Sequence, residues 1–178
     1  MKAATRRKTP TRRRARPPRA WVGVVSRAHV RRGVAGGFAQ LSHGKRAPLA
    51  RMNVGDWLVY YSPRTDFPDG APLRAFTALG QIVGEDVYAF DMGGGFVPYR
   101  RDVAYLKGLR EAPIGDVGSE LAFVTGQTNW GMLARRGHFE IDMADLHRIA
   151  TAMGAPTRRR RRRAGGLNPV ASVRRGPD

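Results

Sequence analysis

Aromatic side chains interleaved with glycine and small polar groups recur where this chain's strands should end and its loops begin. The segments are Gly36-Gly37-Phe38-Ala39-Gln40 running into His43-Gly44-Lys45, Trp57 with Tyr60-Tyr61-Ser62-Pro63, Phe90-Asp91-Met92-Gly93-Gly94-Gly95-Phe96, Tyr99-Arg100-Arg101 and Asn129-Trp130-Gly131. Such a set suits the capture of a flat heterocycle. A flipped or single-stranded base needs flat faces above and below, and polar groups in its plane to read its edge. Phe38, Phe90, Phe96 and Trp57 are candidate walls. Gln40 carries an amide that donates and accepts at once, Ser26 offers a hydroxyl and backbone at a strand end, and Asp91 can accept from an exocyclic amine. His43 and Trp130 complete the base-pocket set, with Lys45, Arg100 and Arg101 as phosphate contacts beside it. Plainer readings stand next to these. Trp21, Trp57, Tyr60 and Phe76 alternate with apolar neighbours and individually read as core, and Trp130 reads equally well as a turn residue packed on the sheet. A lone histidine such as His138 is more often structural than catalytic. Arg100 and Arg101 point to opposite faces of a strand, so only one of them can line a given groove.

Other chemistries lack their residues. Gly93-Gly94-Gly95 is not followed by Lys and Ser or Thr in phosphate-loop spacing, nor does it open a helix as a dinucleotide fingerprint does. His29, His43, His138 and His147 include no pair at metal-ligand helical spacing and no HExxH motif, and there is no GxSxG elbow. The chain has no cysteine, which removes disulfides, thiolate zinc sites and a cysteine nucleophile. Asp91, Asp102 and Glu140 have no partner that the sequence assigns. The expectation is a non-enzymatic protein without metal or cofactor.

The elements that must position these residues lie in the middle of the chain. Its 178 residues carry a formal charge of +18. Residues 1–20 hold nine Lys and Arg without an acid, and residues 156–178 hold eight Arg against Asp178, so 16 of the 18 excess charges lie at the two ends. Both ends lack the apolar content that offsets ordering entropy and are expected to be disordered tails. They flank one domain, residues 21–155, long enough to bury a core. Within it, Trp21–Val25 reads as a strand with Ser26 as N-cap to a helix over Ala28–Val34, stopped by Gly36 and Gly37. Trp57–Tyr61 is a second strand, broken by Ser62 and Pro63. Arg74–Val83 and Val87–Phe90 flank the turn Gly84-Glu85-Asp86, and another strand begins near Val97. Asp142 caps a final helix with Leu146, Ile149, Ala150 and Met153 on one face and Gly154 at its end. The fold class is α/β (α+β), a small barrel-like sheet of short strands with few helices. No apolar run reaches the roughly 18 residues of a membrane span, and no secretory signal is visible, so a soluble cytoplasmic monomer is expected.

A resemblance covers this middle region. Trp21-Val22-Gly23-Val24-Val25-Ser26, His29-Val30, Gly33-Val34, Gly36-Gly37-Phe38, His43-Gly44-Lys45, Pro48-Leu49, Arg51-Met52, Gly55-Asp56 and Tyr60-Tyr61-Ser62-Pro63 resemble the EVE domain. So do Ala75-Phe76-Thr77-Ala78, Phe90 through Phe96, Pro98, Arg100-Arg101, Asn129-Trp130-Gly131 and Gly137-His138-Phe139-Glu140-Ile141. The resemblance implies a fold of the pseudouridine-synthase and archaeosine-transglycosylase (PUA) type, related to the YTH domains that read methylated adenine. It implies binding of a modified nucleobase, notably modified cytosine in DNA, or a modified RNA base. It also implies work beside a separate restriction or modification protein, since no nuclease segment accompanies the domain here. The place of Phe38 ahead of His43-Gly44-Lys45 resembles that of an aromatic-cage residue in YTH domains, which makes it the first candidate wall, with Phe90, Phe96 or Trp57 as the second.

The tails are expected to add affinity without preference. Arg158, Arg159, Arg160, Arg161, Arg162 and Arg163 form an unbroken run, and guanidinium groups pair with phosphate and release condensed counterions. Phosphate contacts position a protein but read no bases. Beside the modified-base reader stand two alternatives, an enzyme acting on a nucleotide or RNA, and a basic architectural protein whose tails do all the binding.

Overall fold

A computed structural model describes residues 16–126 and 128–156 of the chain. It is a mixed α/β fold, a curled half-barrel sheet of the PUA-like type with helices at its edges. The eight strands are β1 (Ala20–Val24), β2 (Phe38–Ala39), β3 (Trp57–Arg64), β4 (Pro72–Ile82), β5 (Tyr88–Ala89), β6 (Tyr99–Tyr105), β7 (Ala112–Pro113) and β8 (His138–Ile141). The α-helices are α1 (Arg27–Gly36), α2 (Arg46–Ala50), α3 (Ile114–Val117), α4 (Ala122–Thr125), α5 (Gly131–Arg135) and α6 (Met143–Ala152). The main path runs β2-β6-β4-β3-β1-β8, with β5 paired to β6 and β7 to β4. β1 lies parallel to β3, Val22 opposite Val59, and antiparallel to β8, Val22 opposite Phe139.

Strand periodicity gives the sheet two apolar faces. Ala20, Val22, Trp57, Val59 and Tyr61 face one way, where Leu146, Ile149, Ala150 and Met153 of α6 cover them. Trp21, Leu58 and Tyr60 face the other, against Val30 of α1, Leu41, Leu49 and Met52. The four residues expected on one face of the last helix are all buried, and Asp145 of α6 is buried with them. Asp142 caps α6 as expected, accepting from the Asp145 backbone N–H at 2.6 Å.

Two boundaries differ from expectation. β3 does not stop at Ser62. It runs on to Arg64, because shifts of register at Tyr60/Tyr61 and Ser62/Arg64 let the strand bend without losing β4. Ser62 is buried there, its Oγ 2.8 Å from Thr77 Oγ1. The expected N-terminal tail also ends early. Arg16 reaches Asp56 at 2.8 Å, Arg19 bonds Glu140 and the Arg51 carbonyl, and Ala20 opens β1. These bonds tie residues 16–19 to the domain.

Asp56 is a buried hub at that end of the sheet. Its carboxylate accepts from Arg16, from the backbone N–H groups of Arg19 and Asn53, and from Trp21 Nε1. Trp21 in turn stacks on His138 at 4.8 Å between ring centroids, and the guanidinium groups of Arg19 and Arg51 lie over its ring at 4.5 and 5.1 Å. Both ring nitrogens of His138 are buried without a hydrogen-bond partner among the described residues. Burial first, then the nearby Arg51 charge, pushes the His138 pKa down to about 4.

Candidate nucleic-acid interface

A cleft of about 680 Å³ opens where the end of β1, the start of α1, the turn after β2 and the loop before β8 converge. That volume is within the ordinary range for a small-molecule site. Val24, Val25, Ser26, His29 and the segment Gln40 to Lys45 line the cleft. Pro63, Arg64, Asp66, Phe67, Phe96 and Ala134 to Gly137 line it as well.

The segment from Gln40 to Lys45 has an unusual backbone. Ser42, His43 and Gly44 have φ of 48°, 57° and 80°, three consecutive residues in the left-handed region. Only the last is a glycine, and it is needed twice over, since a Cβ there would lie 2.4 Å from Pro98 Cβ. Non-glycine residues in this region carry strain, and such strain concentrates at ligand sites. The turn lifts His43 to the surface, where its ring meets Phe67 edge-on at 6.3 Å.

Two polar groups of the cleft have their roles fixed by neighbours. His29 Nε2 lies 3.0 Å from the Gln40 backbone carbonyl, which can only accept, so Nε2 carries the proton and Nδ1 is left as a lone-pair acceptor. Burial, opposed by that hydrogen bond and reinforced by Arg32 and Arg100, lowers the His29 pKa, which favours the neutral ring. Ser26 sits at the N-cap position of α1 as expected, but its side chain makes no capping bond and its hydroxyl remains for the cleft.

Of the candidates read from the sequence, Ser26, Gln40, His43, Lys45 and Phe96 line this cleft together. The others are placed elsewhere. Trp57 is 3% exposed and lies in the core beneath α6, so its reading as a pocket wall is corrected to the plainer one. Trp130 packs edge-on against Tyr61 and Phe123 at 5.3 and 6.2 Å, which corrects it in the same way. Asp91 is exposed and accepts from the Gly93 backbone N–H inside its own loop. Phe38 and Phe90 do face each other across a slot, but the Arg100 guanidinium fills it, 3.8 and 3.7 Å from the two ring centroids.

Neither Arg100 nor Arg101 is a surface phosphate contact, because both are buried. Arg101 donates to the carbonyls of Leu49, Met52, Gly84 and Glu85, which ties α2 and the β4–β5 turn to β6. Arg100 Nε donates to Gln40 Oε1 at 3.1 Å. The run Arg158–Arg163 falls outside the described residues.

Sequence reasoning missed the cations that do reach the cleft. Arg32, Lys45, Arg64, Arg135 and Arg136 line it against a single carboxylate, Asp66. It also missed Phe67, which is 74% exposed at the mouth. The available signal was the dipeptide Arg135-Arg136 directly ahead of Gly137, but helix α5 was not read from the sequence. Among the described residues, no group of three His, Asp or Glu is placed to hold a metal, and no helix is long and apolar enough to cross a membrane.

Comparison with known proteins places this arrangement. The model of the EVE domain matches residues 19–152. The UPF0310 protein YdcG of Bacillus subtilis is 52% identical over 134 residues, 75% of this chain and 91% of the relative. A UPF0310 protein of Mycolicibacterium vanbaalenii is 45% identical over 137 residues, 77% of this chain and 94% of the relative. A solved structure described as a hypothetical protein from Leishmania major is similar in fold, with a TM-score of 0.52 at 12% identity, over 79% of this chain and 98% of that one.

Proposed function

The chain belongs to the EVE domain family, and from that premise we propose that it binds nucleic acid by taking a modified nucleobase into the cleft beside α1. EVE domains are PUA-like modules that generally bind nucleic acid, and the family is not known for enzymatic activity. The observation that carries the proposal is the composition of the cleft. Exposed aromatic rings, Phe67 and Phe96, line the same cleft as neutral edge-reading groups from Ser26, His29 and Gln40 and as five cations. A base stacks on the rings and is read at its edge while the cations hold the flanking phosphates.

A methyl group on the base gains burial against fixed walls. One buried methylene contributes about 0.8 kcal/mol, so a methylated base binds roughly fourfold tighter than its parent. Calorimetry of the full chain with 2′-deoxycytidine, adenosine, uridine and their methylated forms tests this. Binding of a modified form over its parent is the expected result, and no binding of any of them at millimolar concentration overturns it.

The arginine-rich ends supply a second, sequence-blind contribution in this proposal, because the excess positive charge lies there. If each of Arg158–Arg163 neutralises one duplex phosphate, deleting the run flattens the slope of log affinity against log salt by about 5, while the preference for the modified base stays constant. An unchanged slope removes the tail from the account.

A further inference from the structure

Gln40 has an amide that in isolation reads either polarity, but its surroundings remove the choice. Its Oε1 accepts from Arg100 Nε at 3.1 Å. A guanidinium has no acceptor, so the amide oxygen and not the amide nitrogen must face Arg100, whichever way the amide is first placed. Arg100 itself cannot turn away. Its guanidinium is held between the Phe38 and Phe90 rings, Cζ lying 3.8 and 3.7 Å from their centroids, and the residue is 7% exposed. Gln40 is 5% exposed and lines the cleft, so the NH2 end is what it can offer there.

Resting on the base-reading function above, we infer that Arg100 is a positioning residue that makes Gln40 a one-way hydrogen-bond donor, so the cleft selects nucleobases presenting a ring carbonyl oxygen to Gln40. His29 supplies the opposite polarity through Nδ1, which suits a ring N–H or exocyclic amine on the same ligand. The recognised edge is neutral, one acceptor and one donor. The aromatic slot between Phe38 and Phe90 thus contributes to specificity without touching the base, by clamping the group that orients the reader.

The test uses the full chain and thio-for-oxo substitution, since sulfur is a much weaker acceptor than a carbonyl oxygen of nearly the same position. Calorimetry compares 5-methyl-2′-deoxycytidine and thymidine with their 2-thio analogues, and thymidine with 4-thiothymidine. One thio substitution in the wild-type chain should cost about tenfold in affinity, the loss of one hydrogen bond. Gln40→Glu keeps the bond to Arg100 but presents no donor. It should weaken the oxo ligand about tenfold and abolish the thio penalty. Arg100→Lys, which keeps a cationic donor, should retain the penalty. Arg100→Leu should shrink it by releasing the amide to turn, in protein whose cooperative melting shows that it is folded. A full thio penalty in Gln40→Glu, or none in a wild-type chain that binds the parent, overturns the inference.

A second measurement needs no ligand and separates this inference from the function it rests on. In the NMR spectrum of the free protein, the Gln40 side-chain amide protons should show contacts to His29 and Leu41 and exchange with water. Contacts instead to the Phe38 and Phe90 rings overturn the inference even if bases bind. Failure of every nucleoside to bind overturns the base-reading function, with the orientation of Gln40 still decided by the spectrum.

Discussion

The two polar regions of this domain are built from similar residues and behave oppositely. At one end, Asp56 accepts from two side chains and two backbone N–H groups, and Arg101 donates to four carbonyls. At the other, Ser26 caps nothing with its side chain, His29 keeps a lone pair at Nδ1, and Gln40 keeps an NH2. Saturated polar groups hold a fold, because a buried group deprived of its partner costs more than the bond contributes. Groups left with capacity at a concave surface are available to a ligand. The contrast separates Arg101 from Arg135 and Arg136, which composition alone treats alike.

The largest expected effect is at the saturated end. Asp56→Ala strands the Arg16 charge, the Trp21 indole N–H and two backbone donors, and should cost about 3 to 5 kcal/mol in urea unfolding. A loss below about 1 kcal/mol erases the distinction between the two regions.

Next comes the pH dependence set by His138. Its pKa is about 4 in the folded protein against 6.5 unfolded, so the unfolded chain binds the extra proton between those values. The stability it confers is complete above pH 6.5 and is lost as pH falls toward 4, by roughly 3 kcal/mol. His138→Phe, which preserves a ring against Trp21, should flatten that limb relative to wild type. An equal slope in both proteins assigns the acid sensitivity to other groups.

At the unsaturated end, stability and binding should come apart. Phe96→Ala and Phe67→Ala remove rings that are 47% and 74% exposed, so melting should hardly move while base binding weakens by about 1 to 3 kcal/mol. Parallel losses in both quantities return these residues to the core. The smallest effect is electrostatic. Arg135→Gln with Arg136→Gln should lower the salt slope on single-stranded DNA by about 1.4, at 0.7 per phosphate contact, without changing preference among bases. A changed preference with an unchanged slope makes these arginines readers and not phosphate contacts.

The sequence shows most plainly what depends on local period. Trp21, Trp57, Tyr60 and Phe76 alternate with apolar neighbours and are all core, and the cap and face of α6 follow from Asp142 and the spacing of Leu146, Ile149, Ala150 and Met153. The glycines that end α1 work as expected, Gly36 closing the helix and Gly37 taking φ of 69° as its C-cap. What the sequence conceals is pairing between distant segments. Nothing near Arg100 announces that Phe38 and Phe90, from separate strands and loops, enclose it. Adjacent arginines read as a basic patch until the carbonyls of Leu49 and Met52 are seen to surround one of them. The short helices α2 to α5 carry too few turns for a 3.6-residue period to stand out, so Arg135 and Arg136 had no element to place them at the cleft.

The position of β1 governs when this protein can exist at all. This strand lies between β3 and β8, so its second edge is covered only once residues 138–141 have been made. The lining residues Ala134–Gly137 of the cleft arrive just before that same stretch. During synthesis β1 therefore emerges well before the strand that covers its second edge. A chain halted short of β8 presents an open strand edge on β1 and an incomplete cleft, a state that favours aggregation over folding.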